Sequence, residues 1–239
     1  MSSLSSRSSC RYFDFVMVAF VAGLIVSNIA SSAKIVDLRI TFFGIPLAFD
    51  GGTLLFPIAY VLGDVLTEVY GFRKSRRVIW TGFAAVAMAS LVFMLLSFLP
   101  ADAVWESYAG TEAYNSILGG MSTGGIALAS LLAYLVGEFS NSMILSRLKV
   151  LMKGKYLWVR TIGSTLVGQL LDSFIFVLVA SFAGVFGWEL FATLVFTNYL
   201  FKCSIEILMT PFTYGTVHFL KKAENIDTYD NGIKFNPFR

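Results

Sequence analysis

The sequence predicts an all-α membrane protein, a bundle of six transmembrane helices with a short irregular or hairpin segment between helices 1 and 2. Three observations carry this reading. The 239-residue chain is 56% hydrophobic and only 14% charged, with a mean hydropathy of +0.74. That is more apolar surface than a soluble domain of this length covers with polar atoms. Apolar runs of about 20 residues, the length that crosses a bilayer, recur along the chain. The basic residues gather in alternate loops, as they do when every second loop lies on one side of a membrane.

The first span is drawn at about 14–33. The Ser-rich start, "MSSLSSRSSCRYFDF", imitates a signal peptide, but the apolar run continues to about Lys34 and further spans follow, so a retained first helix is expected. Next, "DLRITFFGIPLAFDGG" (37–52) alternates and carries a Gly-Ile-Pro turn, the pattern of a short outer hairpin or re-entrant piece. The second and third spans, 53–71 and 78–99, are joined by Arg73, Lys74, Arg76 and Arg77. An outer loop with interfacial Trp105 and Tyr108 leads to the fourth span, 122–146. The fifth and sixth follow at 161–183 and 189–219. The whole of 1–239 reads as a single integral membrane domain, with 1–12 and 221–239 as tails.

Fifteen of the 18 Lys and Arg residues precede the first span, join the second to the third or the fourth to the fifth, or follow the sixth. Both termini are therefore expected in the cytoplasm. The net charge is only +3 and the basic residues sit in loops, so nucleic-acid binding has no support. Cys10 and Cys203 make neither a disulfide framework nor a zinc site, and the single His218 makes no metal site. No cofactor is expected.

The chemistry lies in polar residues inside the apolar runs. The segment "LLFPIAYVLGDVLTEVYGFRKSRRVIW" (54–80) places Asp64 and Glu68 on one helix face, one turn apart, with Tyr60 a turn earlier. Glu138 and Asn141 share a face of the fourth helix, Gln169 and Asp172 a face of the fifth, and Asn198, Lys202 and Glu206 a face of the sixth; Asn28 lies in the first. An ionised side chain at mid-membrane costs about 2.5–3.5 kcal/mol. Five acids facing Lys202 as their single mid-span cation must hold protons or meet a donor-rich or cationic ligand. A shared polar cavity is expected, with Asp64 nearest its centre. Glu68 is expected near the cytoplasmic end, within reach of Arg73 or Arg77. Phe174 and Phe176 are candidates to stack on a flat ligand.

These blocks resemble a known family. "SNIASSAKIVDL" (27–38) and "FPIAYVLGDVLTEVYGFRKSRRVIW" (56–80) look like the signature of the queuosine precursor transporters, also grouped as vitamin-uptake-like transporters. "GEFSNSMILSRLK" (137–149), "RTIGSTLVGQLLDSFIF" (160–176) and "NYLFKCSIEILMTPFTY" (198–214) resemble that family's later blocks. The resemblance implies an inner-membrane importer of 7-deazaguanines: 7-cyano-7-deazaguanine, its aminomethyl analogue, or queuine. Two modes stand open, a secondary transporter using intramembrane carboxylates and a substrate-capture subunit of an energy-coupling-factor system. The chain has no G-x-x-x-x-G-K-[ST] loop, so the second mode requires a separate ATPase partner. Oligomeric state and coupling ion stay open. An intramembrane enzyme is disfavoured. "VLGD" has Val61 where an intramembrane aspartyl protease needs glycine, and His218 is too far along the last span to serve a serine protease.

Overall fold

The computed structural model describes residues 10–42 and 45–238. Among them are eight α-helices: α1 (Phe13–Ala33), α2 (Phe56–Tyr70), α3 (Phe72–Phe98), α4 (Ala103–Tyr108), α5 (Gly110–Ser122), α6 (Gly124–Leu151), α7 (Leu157–Phe182) and α8 (Phe191–Glu224). The segment expected as a hairpin is one. Strand β1 (Ile35–Phe42) pairs antiparallel with β2 (Ile45–Asp50), with an irregular register between Asp37 and Thr41. Gly44 of its turn, and the Ser-rich start up to residue 9, lie outside the described residues.

Five helical stretches are long and apolar enough to cross a membrane: α1, α3, the run Gly110–Leu151, α7, and Trp188–Glu224. The expected second span is shorter than drawn. A 3-10 turn occupies Gly51–Leu54, and α2 has 15 residues. It rises about 22 Å at 1.5 Å per residue, less than the ~30 Å of a hydrocarbon core. The reason is its position. From Gly63 to Tyr70 every residue of α2 is buried, enclosed by α1, α3, α6 and α8. A helix surrounded by protein has no lipid thickness to match.

The loop expected at 99–121 is also helical. Asp102 caps α4 by accepting from the backbone N–H groups of Val104 (3.0 Å) and Trp105 (3.1 Å). Helix α5 then packs on α1 and α3, held where Gly120 N–H donates to Ser32 Oγ (3.0 Å) and the Tyr114 hydroxyl to the Phe93 carbonyl (2.6 Å).

The apolar core joins Val16, Phe20 and Leu24 of α1 to Val65, Leu66 and Val69 of α2, with Val78 and Val86 of α3 and Val217 and Leu220 of α8. Between α2, α3 and α6 the hydroxyls of Thr67, Ser75 and Ser142 close a triangle of 2.8–3.1 Å contacts. Such bonds satisfy polar groups where no water does.

Helices α6 and α7 make the most intimate crossing. A Cβ on Gly137 would stand 2.8 Å from the Asp172 Cβ, and one on Gly168 2.8 Å from the Asn141 Cβ. Small residues at both crossing positions let the backbones approach, as is general for helices in lipid. The crossing sets Asn141 and Asp172 beside the partner helix. Gly168→Ala should therefore force the helices apart and lower stability in detergent by about 1–3 kcal/mol. Gly163→Ala, whose new Cβ meets only Leu148 Cδ1 at 3.6 Å, should leave the thermal unfolding curve in place. Equal melting of the two variants would contradict the close-crossing account.

Candidate functional site

Four helices turn polar side chains toward one another at mid-bundle. From α2, the buried Asp64 carboxylate accepts from Asn141 Nδ2 of α6 at 2.8 Å. From α8, buried Glu206 accepts from Thr165 Oγ1 (2.6 Å) and Gln169 Nε2 (3.3 Å), both on α7. Glu138 of α6 is half-buried and stands against Gly63, whose Cβ position lies 3.2 Å from Glu138 Oε2. Tyr60, one turn before Asp64 on α2, is half-buried. Asp172 pairs with Lys202 of α8. A narrow crevice with a cavity volume of about 10 Å³ lies beside Asp64 and Glu206, its wall carrying Thr161, Thr165, Thr210 and Thr213. Pro211 lies within α8 at this level, and its missing N–H frees the Ile207 carbonyl from the helical ladder.

The centre is rich in acceptors. Among the described residues Asp64, Glu138 and Glu206 have no ion pair, because Lys202 serves Asp172. The carbonyl oxygens of Asn141 and Gln169 are buried with no hydrogen-bond partner. Each amide gives its NH₂ to a carboxylate and is left presenting an acceptor. Buried acceptors without donors are uncommon in folded proteins and call for a physical account.

The residues singled out in the sequence fall into three groups. Asp64, Glu138, Asn141, Gln169 and Glu206 converge, with the Asp172–Lys202 pair at their edge. Asn28 is spent within its own helix, its Nδ2 donating to the Leu24 carbonyl at 2.7 Å. Asn198 lies one turn before Lys202 and is half-buried. Phe174 is 42% exposed and meets Phe191 edge-on, while Phe176 meets Phe186.

Glu68 requires a correction. It is fully buried, and its partners are neither Arg73 nor Arg77. Arg160 of α7 grips it in a fork, Nη1 to Oε2 at 2.5 Å and Nη2 to Oε1 at 3.2 Å. Lys221 of α8 donates to Oε1 at 2.6 Å, and Lys149 of α6 stands 3.5 Å away. The same two lysines hold Asp227 at 2.5 and 2.8 Å. Partial burial works against ionisation of Asp227, but the hydrogen bonds from Lys149 and Lys221 outweigh it and keep this carboxyl below its ordinary pKa. Arg160, Lys149 and Lys221 read as loop and tail charges in the sequence. Their one visible signal was position, since each lies within about a turn of a span boundary, where a long side chain reaches inward as easily as outward. The four crevice threonines gave no signal apart from their helical spacing.

Among the described residues no group of three His, Cys, Asp or Glu side chains is arranged to hold a metal ion. Cys10 and Cys203 are not joined in a disulfide, and Cys10 Sγ accepts from Lys74 Nζ at 2.6 Å.

Comparison with known proteins gives the chain a family. A family model described as "Putative vitamin uptake transporter" matches residues 50–216. A protein named "Probable queuosine precursor transporter" from Bacillus subtilis (strain 168) is 29% identical over 175 residues, covering 72% of this chain and 73% of its own. One of the same name from Haemophilus influenzae (strain ATCC 51907 / DSM 11121 / KW20 / Rd) is 29% identical over 168 residues, 70% of this chain and 67% of its own. No solved structure matches. The matched segment begins after the block at 27–38 and takes in the acidic helix α2 together with the polar faces of α6, α7 and most of α8. A multi-pass membrane protein built this way, with the family model covering well over half of its length, belongs to the vitamin uptake transporter family.

Proposed function

We propose that this chain is an inner-membrane importer of 7-deazaguanine queuosine precursors and works as a secondary transporter. In this reading it crosses the membrane six times, the short α2 completing the set, with both termini in the cytoplasm. The observation that carries the proposal is the acceptor-rich, cation-poor centre. Three carboxyl groups without a cation, beside two orphaned amide oxygens, need donors or protons to offset their burial. A guanine-like edge offers an N1–H and an exocyclic NH₂, which one carboxylate accepts together as a bidentate pair. Asp64 is the residue we assign to that edge, with Asn141 and Gln169 supplying further acceptors. Lys202 or the Tyr60 hydroxyl supplies a donor for the ligand carbonyl. Both relatives carry the name of queuosine precursor transporters, which favours the same substrate class.

At about 10 Å³ of cavity volume the crevice has room for about one water, far below the ~300–1,000 Å³ of typical ligand pockets. Occupation therefore requires the helices to part, as alternating access demands. Glu68 takes no part in ligand recognition here, since its carboxylate is already committed to three cations.

Asp64→Asn should preserve the fold, because an amide oxygen still accepts from Asn141. It should lower uptake of the carried precursor by about tenfold or more, the loss expected for a charged hydrogen bond of 1.5–3 kcal/mol. Reconstituted vesicles holding only this chain, offered the three precursors in turn, give the measurement. Full uptake by Asp64→Asn at every pH would sink its assignment, and uptake of none by the unaltered chain would sink the secondary-transport reading. Orientation is checked separately. An impermeant thiol reagent outside the cell should reach Glu112→Cys and miss Arg77→Cys and Lys155→Cys, all at exposed positions. The reverse pattern would place the termini outside.

A further inference from the structure

The end of the bundle that carries the basic loops is closed in two layers. The inner layer is the Glu68 cluster, in which α2, α6, α7 and α8 meet through Arg160, Lys149 and Lys221. The outer layer is the chain after α8. Residues 225–238 run back across this end and are bonded to each element they pass. Thr228 N–H donates to the Val69 carbonyl at 3.3 Å, and Lys149 Nζ to the Thr228 carbonyl at 2.8 Å. The buried Asp230 carboxylate accepts from the Phe72 N–H (2.8 Å) and from Ser146 Oγ (2.5 Å). Phe235 packs edge-on to Phe72 and lies under the Arg147 guanidinium. Arg76 reaches the Asn236 carbonyl at 2.7 Å, and Trp80 Nε1 the Pro237 carbonyl at 2.8 Å.

The strap grips a hinge. Gly71 alone separates α2 from α3, with φ at +82°, and a Cβ there would stand 2.7 Å from Thr228 Cγ2 and 3.1 Å from Asp230 Oδ1. Asp230 thus caps α3 at the point where α2 turns into it. The crevice beside Asp64 and Glu206 runs toward the same end. Its Thr161 is the neighbour of Arg160 on α7, and its Thr213 lies about two turns before Lys221 on α8. Between the threonine-lined wall and the basic end stand the Arg160–Glu68 and Lys221–Glu68 contacts.

We propose that the crevice between α7 and α8 is the path by which the ligand leaves toward the basic end, that Glu68 with Arg160 and Lys221 is its gate, and that the 225–238 strap latches the gate through Asp230. The proposal rests on the transporter role and not on the identity of the substrate. Asp64 and Glu68 sit one turn apart on α2, in the half of that short helix, from Gly63 to Tyr70, that is fully buried. A shift of α2 when the centre is filled or emptied therefore moves the gate carboxylate against Arg160 and Lys221. The strap opposes that shift because it holds α2, α3 and α6 together. The threonines provide hydroxyls that replace the ligand's lost water along the way.

The test uses the full chain in inside-out membrane vesicles, with Cys10 and Cys203 changed to serine and a reporter, Thr165→Cys, in the crevice wall. An impermeant thiol reagent is added at the basic end and the modification of residue 165 is followed by peptide mass. Asp230→Ala should raise the rate by about tenfold, the population shift expected on loss of a charge-assisted hydrogen bond, and Phe235→Ala, which removes a ring contact and a cation–π contact, should raise it by several-fold. Reagent on the hairpin side should show no such rise. In the opposite sense, Ser146→Cys paired with Asp230→Cys should form a disulfide under oxidant that slows modification below the unlatched rate and stops uptake of 7-cyano-7-deazaguanine until reductant is added. Equal rates in latched, unlatched and unaltered chains would reduce the strap to a static cap and overturn the proposal. Rates that follow the latch, in a chain that takes up no deazaguanine, would keep the gate and refute the substrate.

Discussion

The buried Glu68 carboxylate is the constraint around which this bundle is organised. A lone charge in so dry a place costs several kcal/mol, and removing one partner of a buried pair typically costs about 3–5 kcal/mol. Arg160, Lys221 and Lys149 come from three different helices to meet it. Their convergence fixes how α2, α6, α7 and α8 approach at one end, and Asp227 offsets part of the surplus positive charge. Arginine suits the central role because its planar fork engages both carboxylate oxygens at once.

With Glu68 matched at that end, the shortage of cations falls on the middle. Asp172 has Lys202, while Asp64, Glu138 and Glu206 share no cation among the described residues. One turn of α2 therefore separates a carboxylate met by three cations from one met by a single amide donor. Static structure favours filling such a gap with basic residues, and the fold does so at Glu68. Leaving Asp64 with a single amide donor fits a site that must bind and release.

Packing supports the same division. Gly137 and Gly168 bring α6 and α7 together so closely that their polar side chains share one plane of the bundle. Hydroxyls of Thr67, Ser75 and Ser142 knit α2 to its neighbours just below Asp64. Bonds of this kind in lipid average well under 2 kcal/mol each, weak enough singly for helices to shift and numerous enough together to define a resting arrangement.

By itself the sequence determined the class and most of the central site. Apolar length marks membrane helices, and helical period puts Asp64, Glu138, Asn141, Gln169 and Glu206 on inward faces, because burying them toward lipid costs more than toward each other. The hairpin was legible in its alternation. What tertiary structure alone decided was pairing and depth. Nothing local distinguishes Arg73 from Arg160 as a partner for Glu68. One is near in sequence and the other near in space, and only the approach of α7 to α2 makes the difference. The length of α2 was likewise hidden, since an apolar run reads the same whether it faces lipid or protein. The chain after α8 looked like a solvated tail because its contacts, side-chain and backbone alike, are long-range, and composition carries no record of where a carboxylate or a carbonyl finds its donor.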